Sequence, residues 1–354
     1  MTRRILLTLH KYIGLVAGGF VFVLSVTGCV LVFEEQIDRA LSPGLFDVST
    51  PTTRMPLQAL ADLVRAAYPD RKVLHVRLPR KANGPVVVAL SGRLAVFVDP
   101  FAGRILGERS APARLVIITG QLHSGRIAGT WGRVIVGVAT VLTLFLVLSG
   151  LYLWWPRKIL LVRWRATWRR ISFDTHSVLG IYSAPFLVFT LVSGIVLSYE
   201  GVLAPVLAGP GPASRSAPPQ STVVPGARAL TLDEAVAASD RALPGAETVG
   251  LDVAPSGGRA AFKVLKRFPE DMTGGGRSHV FLDQYSGRAL LVQSSRDVPV
   301  VTAILDRIDP IHVGNIFGWP SSVVAFLACL ALAGQVVTGV LIWWKPGKKP
   351  PAAH

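Results

Sequence analysis

A gap-free internal echo constrains this chain more than any other feature. LHKYIGLVAGGFVFVLSVTGCVLVFEE at Leu9–Glu35 is apolar and long enough to cross a bilayer. THSVLGIYSAPFLVFTLVSGIVLSYE at Thr175–Glu200 repeats its plan in register. His10 aligns with His176, Gly14 with Gly180, Gly18 with Ala184, Thr27-Gly28 with Ser193-Gly194, and Glu34 with Glu200. A second echo links HSGRIAG at His123–Gly129 to HVGNIFG at His312–Gly318. At that same offset Ser149-Gly150 matches Thr338-Gly339, and Trp154-Trp155 matches Trp343-Trp344. The chain reads as two copies of one unit: helix, small α+β domain, helix. Both copies run the same way, which predicts a pseudo-twofold axis along the membrane normal.

Four runs are long and apolar enough to span: Tyr12–Phe33, Val134–Trp155, Val178–Tyr199 and Ser321–Trp344. Hydrophobic content of 51%, charged content of 16% and a mean hydropathy of +0.48 fit a membrane protein. The net charge of +16 could suggest nucleic acid, but its placement argues against that partner. Arg3, Arg4 and Lys11 flank the first run; Lys345, Lys348 and Lys349 follow the fourth. Between the second and third stand Arg157, Lys158, Arg163, Arg165, Arg169 and Arg170. Such clusters anchor the cytoplasmic side, so both termini and the 157–174 loop are expected there. The opening MTRR could begin a signal peptide, yet the run exceeds an ordinary h-region and ends in FEEQID without a small-residue cleavage site, so it is expected to be retained. Cys29 and Cys329 both lie in apolar runs, which argues against a disulfide framework or a thiolate metal site.

The domain map follows. Residues 1–34 hold the first span and 35–110 the first outer domain; 111–156 hold an interfacial segment and the second span. After the 157–174 loop come the third span at 175–200 and a Gly/Pro-rich linker at 201–228. The second outer domain takes 229–297, a second interfacial segment and the fourth span 298–345, and the tail 346–354. Each outer domain opens with a short amphipathic helix, Pro56–Ala67 and Leu232–Leu243, the latter behind a Thr231/Glu234 capping box. Strand candidates follow at Val73–Leu78, Val86–Leu90, Leu94–Val98 and Ile105–Glu108. Their counterparts are Thr248–Ala254, Arg259–Leu265, Ser278–Asp283 and Ala289–Gln293. The closing turns FVDPFAGR and FLDQYSGR match directly, with Asp starting each turn. Both domains are expected in the periplasm.

Of seven histidines, four sit at repeat-related helix ends. Topology puts His10 and His176 near the cytoplasmic face, and His123 and His312 near the outer face. Two facing imidazoles at one depth suit the axial positions of a six-coordinate haem. Gly14, Gly18, Gly180 and Ala184 lie one and two turns beyond the inner histidines, where they would leave room for a flat macrocycle. The competing role for such glycines is close helix packing. Zinc or copper is the competing ligand, but layers about 30 Å apart cannot share one ion. In a straight helix His123 would stand about 16 Å outside the second span, so Gly129, Gly132 and Pro320 are expected to fold these segments back.

His75 and His279 read as ordinary histidines of strand regions, and His354 as terminal. Glu34, Glu35 and Glu200 read as interfacial caps, and the Trp pairs as aromatic belts. No nucleotide-binding glycine fingerprint, Ser/His/Asp grouping or HExxH motif is present.

LHKYIGLVAGG, FVDPFAGR, HSGRIAGTWGR and SGLYLWWPRK, in this order and spacing, resemble the PepSY-associated transmembrane helix family over nearly the whole chain. Members of that family include bacterial inner-membrane ferric-siderophore reductases, which hold two haem b between four helices, with PepSY-like domains in the periplasm. The resemblance implies His10 with His176, and His123 with His312, as axial ligands. It implies electron flow from a cytoplasmic donor or quinol to a periplasmic ferric chelate, most simply a ferric siderophore. Other members are thought to modulate peptidases. The alternative is therefore a haem-free, membrane-anchored PepSY protein that binds or restrains a periplasmic protein or peptidase.

Overall fold

A computed structural model describes residues 2–49, 53–81, 83–110, 115–208, 218–253 and 258–344. His354, the tail, the anchors Lys345, Lys348 and Lys349, and part of the 201–228 linker lie outside the described residues. In chain order the elements begin with α1 (Thr2–Val32), α2 (Glu34–Leu41) and α3 (Leu57–Ala67). Then come β1 (Val73–Arg77), β2 (Val86–Leu90), β3 (Leu94–Val98) and β4 (Ile105–Ser110). The middle holds α4 (Leu115–His123), α5 (Gly129–Trp154), α6 (Trp168–Ser198), α7 (Glu200–Ala208) and α8 (Leu232–Ala242). The rest is β5 (Glu247–Asp252), β6 (Phe262–Arg267), β7 (Ser278–Leu282), β8 (Ala289–Gln293), α9 (Val300–Val313) and α10 (Trp319–Trp344). The described residues form two compact units: a helical bundle drawn from 2–34, 115–203 and 308–344, and a sheet unit drawn from 35–110 and 204–307.

In the bundle, α1, α5, α6 and α10 are long and apolar enough to cross a membrane. α1 and α6 each pack along both α5 and α10, so the four close a ring. Small residues permit the close approach: a Cβ on Gly18 would stand 3.4 Å from Val336, and one on Gly14 3.8 Å from Leu146. The outward face carries large apolar side chains left bare, among them Val16 at 78% and Phe189 at 72% exposure. Water would penalise that surface by about 25 cal/mol per Å²; lipid does not. The chain is thus a multi-pass membrane protein. The helices outrun the expected spans: α1 starts at Thr2 and α6 at Trp168, which puts His10 and His176 inside helices and not at their ends.

The segments between the first and second spans and between the third and fourth differ from the two separate domains expected. One antiparallel sheet of eight strands, ordered β4-β3-β2-β1-β5-β6-β7-β8, runs through both. The join is β1 on β5, where His75, Val76 and Arg77 pair with Asp252, Leu251 and Gly250. Alternation built this sheet: Val86, Val88 and Leu90 point to one face with Leu94, Val96 and Val98, all buried under α3 and α8. Leu60, Val64, Leu232 and Ala235 supply the helix side of that core. Fully burying each such Val or Leu contributes about 1.5–3 kcal/mol before chain entropy is counted.

Residues at the starts of α3 and α8 tie the two helices across the join. Asp233 accepts the free N–H groups of Leu57 (2.8 Å) and Gln58 (2.9 Å) at the start of α3. Gln58 Oε1 accepts Leu232 N–H at the start of α8 (3.1 Å), and the expected Thr231/Glu234 capping box forms there too. The two closing turns form as read. Asp99 accepts N–H bonds from Ser49, Phe101 and Ala102, and Asp283 from Thr222, Tyr285 and Ser286.

Candidate functional site

Four histidines converge in the bundle as two pairs. His10 on α1 and His176 on α6 face one another with ring centroids 6.3 Å apart and planes at 88°. His123, which ends α4, and His312, near the end of α9, stand 6.1 Å apart at 54°. The outer pair reaches its depth because the helix breaks before each span. Gly125 (φ 71°) and Gly314 (φ 75°) adopt the left-handed region after each histidine, and positive φ recurs at Gly129, which opens α5, and at Gly318, just before α10. Gly132, expected as a breaker, lies inside α5 pressed against the Gly125 carbonyl, and Pro320 sits in the first turn of α10. α4 therefore folds back along α1, and His123 meets Thr27 within the bundle. Seventeen residues separate His10 from Thr27 on α1, as they do His176 from Ser193 on α6. At about 1.5 Å per residue the two layers lie roughly 25 Å apart.

Each ring is held through Nδ1 by a Ser or Thr on a neighbouring helix. His10 Nδ1 bonds Ser149 Oγ (2.8 Å), and His123 Nδ1 bonds Thr27 Oγ1 (2.9 Å). His176 Nδ1 bonds Thr338 Oγ1 and the Gln335 carbonyl, both at 3.1 Å. His312 Nδ1 bonds Ser193 Oγ and the Thr190 carbonyl, both at 3.0 Å. The proton's place follows from these partners. Carbonyls only accept, so Nδ1 of His176 and His312 must donate. Ser149, Thr27, Thr338 and Ser193 already give their hydroxyl protons to backbone carbonyls of their own helices, so they too accept from Nδ1–H. All four imidazoles are thereby fixed in one tautomer, with an Nε2 lone pair free. Among the described residues no Nε2 has a hydrogen-bond partner.

A glycine beside each hydroxyl makes room for the ring it holds. A Cβ on Gly28 or Gly150 would stand 3.4 Å from Cε1 of His123 or His10. On Gly194 it would stand 3.1 Å from His312 Cε1, and on Gly339 3.6 Å from His176 Cε1. Each histidine is thus clamped by a Ser/Thr-Gly pair from another helix, a role that reading the sequence missed. The signal was visible in the recurrence of these dipeptides at fixed offsets. The glycines singled out from the sequence sit elsewhere: Gly14, Gly18 and Gly180 face Leu146, Val336 and Gln335 of adjacent helices at packing distance.

The donor set restricts what such pairs can hold. Among the described residues no three His, Cys, Asp or Glu side chains converge. A bare zinc ion takes three or four protein ligands, which neither pair supplies. A group that carries its own equatorial nitrogens needs only two axial imidazoles. Such a group would be held by Nε2 of His10 and His176, whose rings stand 6.3 Å apart, or of His123 and His312, at 6.1 Å. Hydrogen bonds at the far nitrogen complete the pattern, since metal-ligating histidines regularly donate there.

The remaining histidines do other work. His75 bridges the β1–β5 join through Asp252 (2.7 Å), and that contact holds the Asp252 carboxyl below its usual range. His279 lies on β7, where burial, aided by the Lys263 charge, pushes its pKa down. Glu34 and Glu35 open α2, and Glu200 opens α7.

A family model described as PepSY-associated TM region matches residues 7–345. The chain belongs to that family. No curated protein matches it. The matched span holds all four paired histidines of this PepSY-associated TM chain, together with their Ser/Thr-Gly clamps.

Proposed function

We propose that this PepSY-associated TM protein binds two haem b, one between His10 and His176 and one between His123 and His312, and carries electrons across the bacterial inner membrane to a periplasmic acceptor. The two facing pairs, with ring centroids 6.3 and 6.1 Å apart and each Nδ1 proton pinned away, carry this reading. Bound there, haem supplies a one-electron centre. The chain's own part is to present two Nε2 lone pairs per layer, hold the rings against rotation, and raise their basicity through Nδ1–H donation.

The acceptor we favour is ferric iron in a siderophore or similar chelate; the donor is a quinol or a cytoplasmic reductant. One electron converts Fe(III) to Fe(II), which hard oxygen donors hold less tightly, so the chelate loosens. On this reading the chain is a ferric-chelate reductase. On this reading both termini and the 157–174 loop lie in the cytoplasm and the sheet unit in the periplasm, a topology that the basic flanks support. On the same reading the two halves are parallel repeats about a pseudo-twofold axis; the strand order, which mirrors about the β1–β5 join, and the caps that Gln58 and Asp233 exchange across it support this. Reoxidation of the dithionite-reduced protein by a panel of ferric chelates tests the acceptor. Rapid reoxidation by hydroxamate or catecholate iron is expected; reoxidation by none of them would remove the reductase assignment.

A further inference from the structure

The loop that joins α5 to α6 carries a built surface that the electron-transfer reading does not use. Trp154 Nε1 closes its start on the Ile159 carbonyl (2.8 Å). Asp174, fully buried at its far end, takes Arg170 Nε at 2.7 Å and Arg163 Nε at 3.5 Å. Arg3, at the start of α1, donates to the Leu153 carbonyl in the last turn of α5 (3.2 Å), so it joins the same end of the bundle.

Held in this shape, the loop presents cations without carboxylate partners; Arg157 lies over the Phe173 ring (5.5 Å) and Lys158 over Trp155 (4.9 Å). Arg157, Lys158, Arg165 and Arg169 are exposed, and among the described residues none lies within ion-pair distance of a carboxylate. Large apolar side chains alternate with them: Leu161 is 79% exposed, Trp164 72%, Trp155 65% and Trp168 57%. Water should reject such side chains from a solvated loop. They are tolerable if the loop lies in the interface, where tryptophan rings bridge apolar and polar layers. Its ends require that depth, because α5 stops at Trp154 and α6 starts at Trp168.

We infer that this loop is a binding surface for anionic phospholipid headgroups. Arginine forks match phosphate geometry, the cations lack protein counter-charges, and Leu161 and Trp164 are placed to enter the acyl boundary. An acidic soluble protein would satisfy the charges but would leave the bare tryptophans unexplained.

The test uses the full-length chain in detergent, given equal amounts of phosphatidylglycerol and phosphatidylcholine, with retained lipids counted by native mass spectrometry. Phosphatidylglycerol should be retained several-fold over phosphatidylcholine. The variant R157Q/K158Q/R165Q/R169Q should lose that preference, by up to roughly fivefold per neutralised charge. A second variant, L161A/W164A, keeps every charge and should retain less of both lipids, with unchanged helical circular dichroism for each protein. Equal retention of the two lipids by the wild-type chain would overturn the inference. So would a preference that survives the fourfold change, or displacement of phosphatidylglycerol by a soluble polyglutamate peptide with no effect of L161A/W164A.

Discussion

His10 and His176 stand 166 residues apart in sequence and 6.3 Å apart between ring centroids. Neither completes a site alone. Replacing either with Ala should remove one haem and leave the outer one, halving the haem per chain in a pyridine haemochrome assay. His123→Ala or His312→Ala should spare the inner haem in the same way. A single inner substitution that leaves both haems bound would break the pairing.

The clamps set a graded expectation. Ser149→Ala leaves His10 Nδ1–H without its acceptor, and losses of this kind lower metal affinity by about 10–100-fold. The inner haem should therefore bind more weakly, with a shifted midpoint potential, while the outer one is unaffected. Redox titration of the variant resolves the two.

Glycine substitutions separate a clamp from a mere gap. The added methyl of Gly194→Ala would lie 3.1 Å from His312 Cε1, and that of Gly339→Ala 3.6 Å from His176 Cε1. The first should tilt its ring and lower outer haem occupancy; the second should be tolerated. Equal effects of the two on haem content would contradict the packing described.

Much of this was legible in the sequence. Four spans, the helices of the outer segments and the pairing of histidines all follow from periodicity and echo. The clamp dipeptides recur visibly in the sequence, but their role was not legible, because Thr27 serves His123 and Ser149 serves His10 only once α1 packs on both α4 and α5. The single sheet was hidden for a similar reason. β1 and β5 carry ordinary strand patterns, and nothing in Val73–Arg77 or Glu247–Asp252 announces that each is the other's neighbour. Hydropathy also shortened α1 and α6, whose first turns hold Arg3, Arg4, Arg169 and Arg170.

The reciprocal caps should matter to the sheet unit. Asp233→Ala leaves Leu57 and Gln58 N–H groups without acceptors, a loss of about 1 kcal/mol. Hydrogen exchange in the first turn of α3 should rise roughly fivefold in the full-length variant, with the bundle helices unchanged.

Strong acid should loosen the β3–β4 turn. Burial alone would raise the Asp99 pKa, but bonds from Ser49, Phe101 and Ala102 outweigh it and hold it at about 2, below the ordinary 3.8. A depressed carboxyl stabilises the fold above its unfolded value and loses that contribution as pH falls through the folded one. Protection of this turn from hydrogen exchange should therefore hold above pH 4 and decline between about pH 4 and 2, by on the order of 2 kcal/mol. Asp99→Asn should flatten the decline.

The visible spectrum of the purified full-length chain separates haem held between the histidine pairs from a haem-free protein. Dithionite reduction should sharpen low-spin α and β bands, with two haem b per chain. A protein that folds with its helical signal intact, yet takes up no haem and shows no such bands, would contradict the account and favour a haem-free membrane anchor.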